Sequence, residues 1–320
     1  MIYLDYNATT PIAPAVLDAM LPYFHTHFGN PSSSHSFGQT AQEGIANARH
    51  QLSCCLNCSP TELVFMSGGT ESINMLFQQP SWQKSHFITS IIEHVAVLES
   101  CKGLNVTYIP VNATGHVDGN DIVKAIRPDT KLISIMHSNN EIGSIQNIES
   151  FVHLIKSKRP DILFHTDASQ SVGKVCIDVK KLNVDYLTIA GHKLYAPKGI
   201  GALYIKEGTP CLETMFKGAG QEQGLRPGTE NVPYIVGLGK AAELISKNLY
   251  IFEKHLYEMK KMLCESILSN LVEDIEYRIN GHNDVTKSLP NTLSISFKGI
   301  ESRDLLHGTF LCSLILLRIV

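Results

Sequence analysis

Lys193 ends the run Leu187-Thr-Ile-Ala-Gly-His-Lys193, in which an apolar strand pattern stops at a glycine and presents an imidazole and an amine. Open α/β sheets place their ligands at the carboxyl ends of strands. A partly desolvated amine there loses basicity and can form a Schiff base with a carbonyl. A surface lysine is the competing role, and the apolar strand before it speaks against that.

Other residues with chemical potential recur at strand ends. Ser67-Gly-Gly-Thr-Glu71 follows an apolar strand and opens a helix, so Gly69 and Thr70 could cradle an anion such as phosphate. It has neither the P-loop Gly-Lys-Ser/Thr nor the dinucleotide GxGxxG spacing, and on its own it reads equally well as a turn and cap. His94, in Glu93-His94, could stack on a planar ring or relay protons, or simply cap a helix. Asn139-Asn140-Glu141 suits a polar site floor or a turn.

Asp167, in His165-Thr-Asp-Ala-Ser-Gln170, would need a cationic partner at a strand tip, unless it caps the next helix. A protonated pyridine nitrogen would be such a partner, and Gln170 could reach a ring substituent. The loop Gly218-Ala-Gly-Gln-Glu-Gln-Gly-Leu-Arg226-Pro-Gly-Thr229 carries four glycines, an arginine and a hydroxyl, and suits an anion or a subunit contact. Jointly these residues form a phosphate cradle, a ring-stacking histidine, an acid for a ring nitrogen and a Schiff-base lysine. That is the parts list of a pyridoxal-phosphate enzyme.

The elements that must position them alternate. The pattern predicts strands over Glu62–Met66, His86–Ile91, Val106–Val111, Lys131–Met136, Ile162–Thr166, Asp185–Ala190 and Ile200–Ile205. Helical stretches fall near Ser36–Leu52, Glu71–Phe77, Val95–Lys102, Asn120–Ile126 and Asn147–Lys158. Such alternation implies βαβ units and an α/β fold with a mostly parallel, doubly covered sheet. After Pro233 a long helical pattern runs to about Ile267, and a hairpin-like piece follows at Leu293–Phe297. The expected division is a large domain over 12–244 and a small α+β domain from 1–11 with 245–320.

The 320 residues can bury a large core, and a net charge of -3 with scattered Lys and Arg argues against nucleic acid or an anionic membrane as partner. The first residues show no basic, then apolar, leader pattern. Eight cysteines without framework spacing fit reduced thiols in the cytosol, and the lone Cys55-Leu-Asn-Cys58 lacks the second pair a zinc site needs. The apolar stretch Thr309–Leu317 is shorter than the roughly 20 residues a bilayer span takes.

The chain resembles the NifS-type class V aminotransferase family of cysteine desulfurases and selenocysteine lyases. The matching motifs are Tyr3-Leu-Asp-Tyr-Asn-Ala-Thr-Thr-Pro11, Gly29-Asn-Pro-Ser-Ser33, Ser67-Gly-Gly-Thr-Glu-Ser72, Glu93-His94, Asn139-Asn-Glu-Ile-Gly143, His165-Thr-Asp-Ala-Ser-Gln170, Gly191-His-Lys193 and Arg226-Pro-Gly-Thr229. They run in family order. Asp5-Tyr-Asn-Ala-Thr-Thr-Pro together with Gly220–Asn231 is most similar to the selenocysteine lyase branch.

The resemblance implies a fold-type-I pyridoxal-phosphate homodimer with a seven-stranded sheet, active sites at the subunit interface and a selenium or sulfur acceptor. It implies that Lys193 holds the cofactor covalently, His94 stacks on its ring, Asp167 pairs with the pyridine nitrogen and Gln170 bonds the phenolic oxygen. Gly69, Thr70 and His192 would hold the phosphate, Thr229 would reach the neighbouring subunit's phosphate, and Asn140 would position the substrate carboxylate. Ala190 stands where the family often has a phosphate-binding hydroxyl. The expected reaction removes selenium from L-selenocysteine to give L-alanine, with removal of sulfur from L-cysteine as the alternative.

The family's small domain runs for roughly a hundred residues past Leu289-Pro-Asn-Thr292, carrying a catalytic cysteine loop and a carboxylate-binding arginine. From His307 this chain departs from that pattern, and Cys312 sits in an apolar run without the family's neighbours. The expectation is a C-terminally truncated form, with a catalytically dead product that only binds cofactor or dimerises as the further alternative.

Overall fold

The computed structural model describes residues 2–272, 274–302 and 305, with the backbone of 312 and 313. The side chain of Cys312 and the rest of the apolar end lie outside the described residues. In chain order the strands are β1 (Ile2–Tyr3), β2 (Leu63–Met66), β3 (His86–Ser90), β4 (Asn105–Ile109), β5 (Thr130–Ser134), β6 (Leu163–Asp167), β7 (Tyr186–Ala190), β8 (Gly201–Ile205), β9 (Tyr277–Ile279), β10 (Ile295–Phe297) and β11 (Cys312–Ser313). The helices are α1 (Pro14–Met20), α2 (Pro22–His25), α3 (Ser36–Leu56), α4 (Gly69–Phe77), α5 (Val95–Ser100), α6 (Gly119–Ala125), α7 (Ile148–Lys156), α8 (Val179–Leu182) and α9 (Val232–Ser269).

One sheet organises the molecule, with strand order β2-β8-β7-β6-β5-β3-β4. All neighbours from β7 to β4 are parallel, and β8 alone runs against both β2 and β7. This is the mostly parallel seven-stranded sheet expected from the alternation. Every residue of β2, β3, β6 and β7 is buried, as a sheet covered on both faces requires. One apolar cluster joins α1, α3, α7 and the first part of α9 to the sheet, and a second joins α4 and α5.

Local sequence explains the covering helices. In α7 the residues Ile148, Phe151, Val152 and Ile155 are buried, the 3-1-3 spacing of one helical face. Asn147 starts that helix by accepting the Ser150 N–H at 3.4 Å. Helix α9 is one continuous 38-residue helix with Pro233 in its first turn. Its buried residues end at Ile245, and beyond them Tyr250, Ile251 and Met262 are exposed. Past it, β9 and β10 pair antiparallel, which is the expected hairpin-like piece with its partner strand supplied by Tyr277–Ile279. β1 and β11 pair in parallel. No helix among the described residues is long and apolar enough to cross a membrane.

Candidate active site

The parallel strands deliver their carboxyl ends to one place. A cavity of about 230 Å³ there is lined by residues from five strand ends and the N-terminal segment. Of the residues singled out from sequence, Gly69, Thr70, His94, Asn140, Asp167, Gln170, His192 and Lys193 all line it. Thr229 does not: it is exposed on the loop after β8. That loop is nevertheless tied to the cradle, because Arg226 Nε donates to Glu71 Oε1 at 3.2 Å while the other Glu71 oxygen accepts the Ser67 N–H.

Lys193 follows β7 through Gly191, where the chain passes close to its neighbour. A Cβ on Gly191 would stand 2.8 Å from the Ile200 carbonyl oxygen, so only glycine fits. The Lys193 amine donates to the backbone carbonyls of Asn7 and, at 2.9 Å, Ala8. Burial lowers its basicity, while the carboxylates of Asp167 and Asp5 pull it partly back. His192 hydrogen-bonds Thr9 Oγ1 through Nδ1 at 3.1 Å, and burial, with Lys193 adding repulsion, drives its pKa down to about 4. The ring is therefore neutral at pH 7.

Several of these side chains also hold their own backbone. His94 caps α5, its Nδ1 accepting the Ala96 N–H at 3.1 Å. Asp167, at the tip of β6 and only 6% exposed, accepts the Ser169 N–H at 2.9 Å. Asn139 closes its turn by accepting the N–H groups of Glu141 and Ile142, both at 2.9 Å. Beside His94, burial raises the Glu93 carboxyl to about 8, against the opposing bonds from Ser90 Oγ and the Met136 N–H.

Sequence reasoning left out two residues that the structure ties to the site. Asn7 is a hub: its carbonyl accepts from Lys193 and, at 2.9 Å, from Gln170 Nε2. Its side chain donates to Thr292 Oγ1 at 2.9 Å and to the Asn140 carbonyl at 3.2 Å, and accepts from Asn291 at 2.7 Å. Lys174 donates to Gln170 Oε1 at 2.8 Å. A second cavity of about 810 Å³ borders the first, with Lys174 and Lys193 in its wall and Leu4, Leu256 and Met259 among its apolar lining.

The residues fit a phosphorylated pyridine aldehyde. No side chain caps α4, which leaves its first N–H groups to an anion. A Cβ on Gly69 would stand 3.3 Å from Ser169 Oγ, so the bare backbone keeps this end of the cavity open. A buried carboxylate for a ring N–H and a weakened amine for an aldehyde complete the donor set.

Comparison with known proteins agrees with that chemistry. The model of the class V aminotransferase family matches residues 2–311. The chain is 42% identical over 314 residues to the cysteine desulfurase IscS of Clostridium botulinum, covering 95% of this chain and 78% of that protein. It is 39% identical to the cysteine desulfurase of Mus musculus, covering 95% of this chain and 67% of the relative. A solved NifS-like protein superposes with a TM-score of 0.89 at 38% identity, covering 96% of this chain and 85% of that one. A fold, a cavity and a family match that all converge on the same cofactor identify this chain as a member of the class V aminotransferase family of pyridoxal-phosphate-dependent enzymes.

Proposed function

We propose that the protein is a cysteine desulfurase, converting L-cysteine to L-alanine and passing the sulfur to an acceptor. The observation that carries this reading is the joint presence, in one cavity, of the Lys193 amine, the buried Asp167 carboxylate and the uncapped start of α4. The likeness to cysteine desulfurases supports this substrate over L-selenocysteine. The selenocysteine lyase reading rests on the motif Asp5–Pro11 with the loop Gly220–Asn231.

In this reading the bound cofactor supplies an electron sink for the bond changes at the substrate's α- and β-carbons. Gly69, Thr70 and His192 hold its phosphate, Asp167 keeps its ring nitrogen protonated and Gln170 faces its phenolic oxygen. His94 lies against the ring, held at a fixed angle by its bond to the Ala96 N–H. Asn140 orients the substrate carboxylate. The Lys193 Nζ, made less basic by burial, takes the substrate's α-proton and returns a proton to the β-carbon. Thr229 belongs to a contact with a second subunit, and the exposed ring pair Phe28–Phe37, with centroids 5.8 Å apart, supports a homodimer. Free thiols at all seven described cysteines support a reducing, cytosolic compartment.

The test is spectroscopic, then chemical. Protein purified with added pyridoxal phosphate shows a visible band that borohydride bleaches and Lys193→Ala abolishes; a colourless wild type refutes the cofactor site. Alanine release from cysteine above that from selenocysteine supports the desulfurase. The reverse order restores the selenocysteine lyase, and a coloured protein that releases no alanine from either is a cofactor-binding product without catalysis.

A further inference from the structure

Lys174 is a buried cation for which the reaction has no use. It is 5% exposed, and the charged group acting on it is another cation, Lys193. Burial, with that repulsion, brings its pKa down to about 7. An unmatched amine so placed costs stability, and the question is what it holds.

The turn after β6 explains how it arrives there. Val172 N–H donates to the Ala168 carbonyl and Lys174 N–H to the Ser171 carbonyl, both at 3.0 Å. Between them Gly173 takes φ +85°, in the left-handed region, and a Cβ there would stand 2.9 Å from Ile245 Cδ1. The chain thus folds back on itself, and the Lys174 amine returns to Gln170 Oε1 at 2.8 Å. Charged or neutral, the amine has hydrogens to give, and an amide oxygen only accepts.

Gln170 is fixed from both ends. Its Oε1 takes the Lys174 hydrogen, and its Nε2 donates to the Asn7 carbonyl at 2.9 Å, the same carbonyl that accepts from Lys193. A flipped amide would set Oε1 against the Asn7 carbonyl and, when Lys174 is protonated, Nε2 against an ammonium, repulsive contacts in place of two bonds. Gln170 and Lys193 line the smaller cavity, while Lys174 and Lys193 line the larger one behind it. Lys174 therefore stands outside the site, on the far side of its wall.

We propose that Lys174 is a positioning residue that, through Gln170, fixes which end of the amide faces the cofactor's ring oxygen and thereby sets the protonation of the bound cofactor. This rests on the proposed cofactor site and adds to it a residue that never touches the ligand.

The experiment compares wild type, Lys174→Met, Lys174→Arg and Gln170→Ala, each loaded with pyridoxal phosphate. Lys174→Met keeps the volume and removes the donor; it folds by circular dichroism, shifts the pH midpoint of the visible band by about half a unit or more, and weakens cofactor binding ~10-fold. Lys174→Arg keeps an N–H donor, has the larger cavity for its extra bulk, and restores the wild-type midpoint. The double variant K174M/Q170A is no worse than Q170A, because both act on one bond.

A wild-type midpoint and affinity in K174M overturns the proposal, as does full additivity with Q170A, which would mark a purely structural lysine. Lys174→Gln, which stays polar but falls short of Gln170, takes the place of K174M with the same readings should K174M not fold. A colourless wild type would refute the cofactor site itself. A coloured wild type with an unshifted K174M refutes only the role of Lys174.

Discussion

Two ion pairs tie down the loop that carries Arg226 and Thr229, Arg226–Glu71 and Arg49–Glu222, and breaking the second, more buried one should be measurable. Glu222 has a side chain only 3% exposed and Arg49 one 17% exposed. Glu222 accepts from both Arg49 terminal nitrogens, one at 3.1 Å, and from the Phe65 N–H of β2 at 2.7 Å. Removing one partner of a buried pair costs about 3–5 kcal/mol, because the other charge is left uncompensated. Glu222→Gln keeps an oxygen for Phe65, and Arg49 keeps the Leu63 carbonyl at 2.7 Å and the Phe65 ring at 4.6 Å. The expected loss is therefore near the lower end, about 3 kcal/mol. At ~2.1 cal/mol/K of unfolding entropy per residue, a chain of this length should melt about 4 °C lower. Urea unfolding and thermal melting at pH 7 read it directly.

A second comparison sharpens the test. Glu222 sits at φ +47° and Gln223 at φ +60°, so both hold left-handed backbone that costs a non-glycine residue roughly 1–2 kcal/mol. Glu222→Gly loses the ion pair but relieves that strain, so it should be about 1 kcal/mol less damaging than Glu222→Ala. Lys254→Ala, which breaks the exposed pair with Glu258 at 3.9 Å, should change stability by well under 1 kcal/mol. A Glu222→Gln protein that melts within 1 °C of wild type refutes the anchoring, and alanine as stable as glycine refutes the strain.

Two further outcomes follow from the site and its surroundings. Asp167→Asn keeps an oxygen for the Ser169 N–H but removes the charge, so activity should fall about 100-fold or more with the fold intact. The same variant should make Lys193 less basic still, since Asp167 raises its pKa, and an unchanged pH dependence of Lys193 acylation in the apoprotein would contradict this. Burial drives the His137 imidazole to about 4 and the His165 imidazole to about 3, and His192 lies at about 4. Between pH 6.5 and 4 the unfolded chain binds protons that these folded histidines refuse, so stability should fall as pH is lowered through that window. Glu93, raised to about 8, works in the opposite sense, keeping in the fold a proton that the unfolded chain loses above its ordinary range. Three histidines against one carboxyl leave a net acid lability, and His137→Asn should flatten it in urea titrations; an equal slope would count against the buried histidines as its cause.

The sheet strands were legible because burial on both faces writes them as short β-branched runs, and each lies within two residues of its expected bounds. Their order was not legible. β8 enters between β2 and β7 and runs against both, and its pairing with β2 spans more than a hundred residues and leaves no local mark. The short helices α1 and α2 went unread because each begins at a proline and has too few turns to show a period. In the site, residues that follow strands were legible, since a strand's end is where α/β sheets open to ligands. Asn7 and Lys174 were not. Asn7 acts on Lys193 through a backbone carbonyl, which every residue has, and Lys174 reaches Gln170 only because Gly173 turns the chain back.

From sequence, His94 and Asp167 each offered a choice between capping the backbone and working in a site, and the structure makes that choice unnecessary. The cap itself prepares the site. His94 spends Nδ1 on the Ala96 N–H, so the proton must sit on Nε2, and the ring plane is set before any ligand arrives. Asp167 spends one oxygen on Ser169 and holds its carboxylate at the tip of β6. A side chain fixed in this way loses no rotamer freedom on binding, which is a cost a free surface residue would have to meet from its contacts with the ligand. The same logic separates Thr229 from the rest: it is exposed, outside the cavity, and held through its loop's anchors, among them those at Glu71 and Arg49. Loosening the Arg49 anchor with Glu222→Gln should therefore affect whatever Thr229 binds while leaving the Lys193, Asp167 and His94 geometry in place.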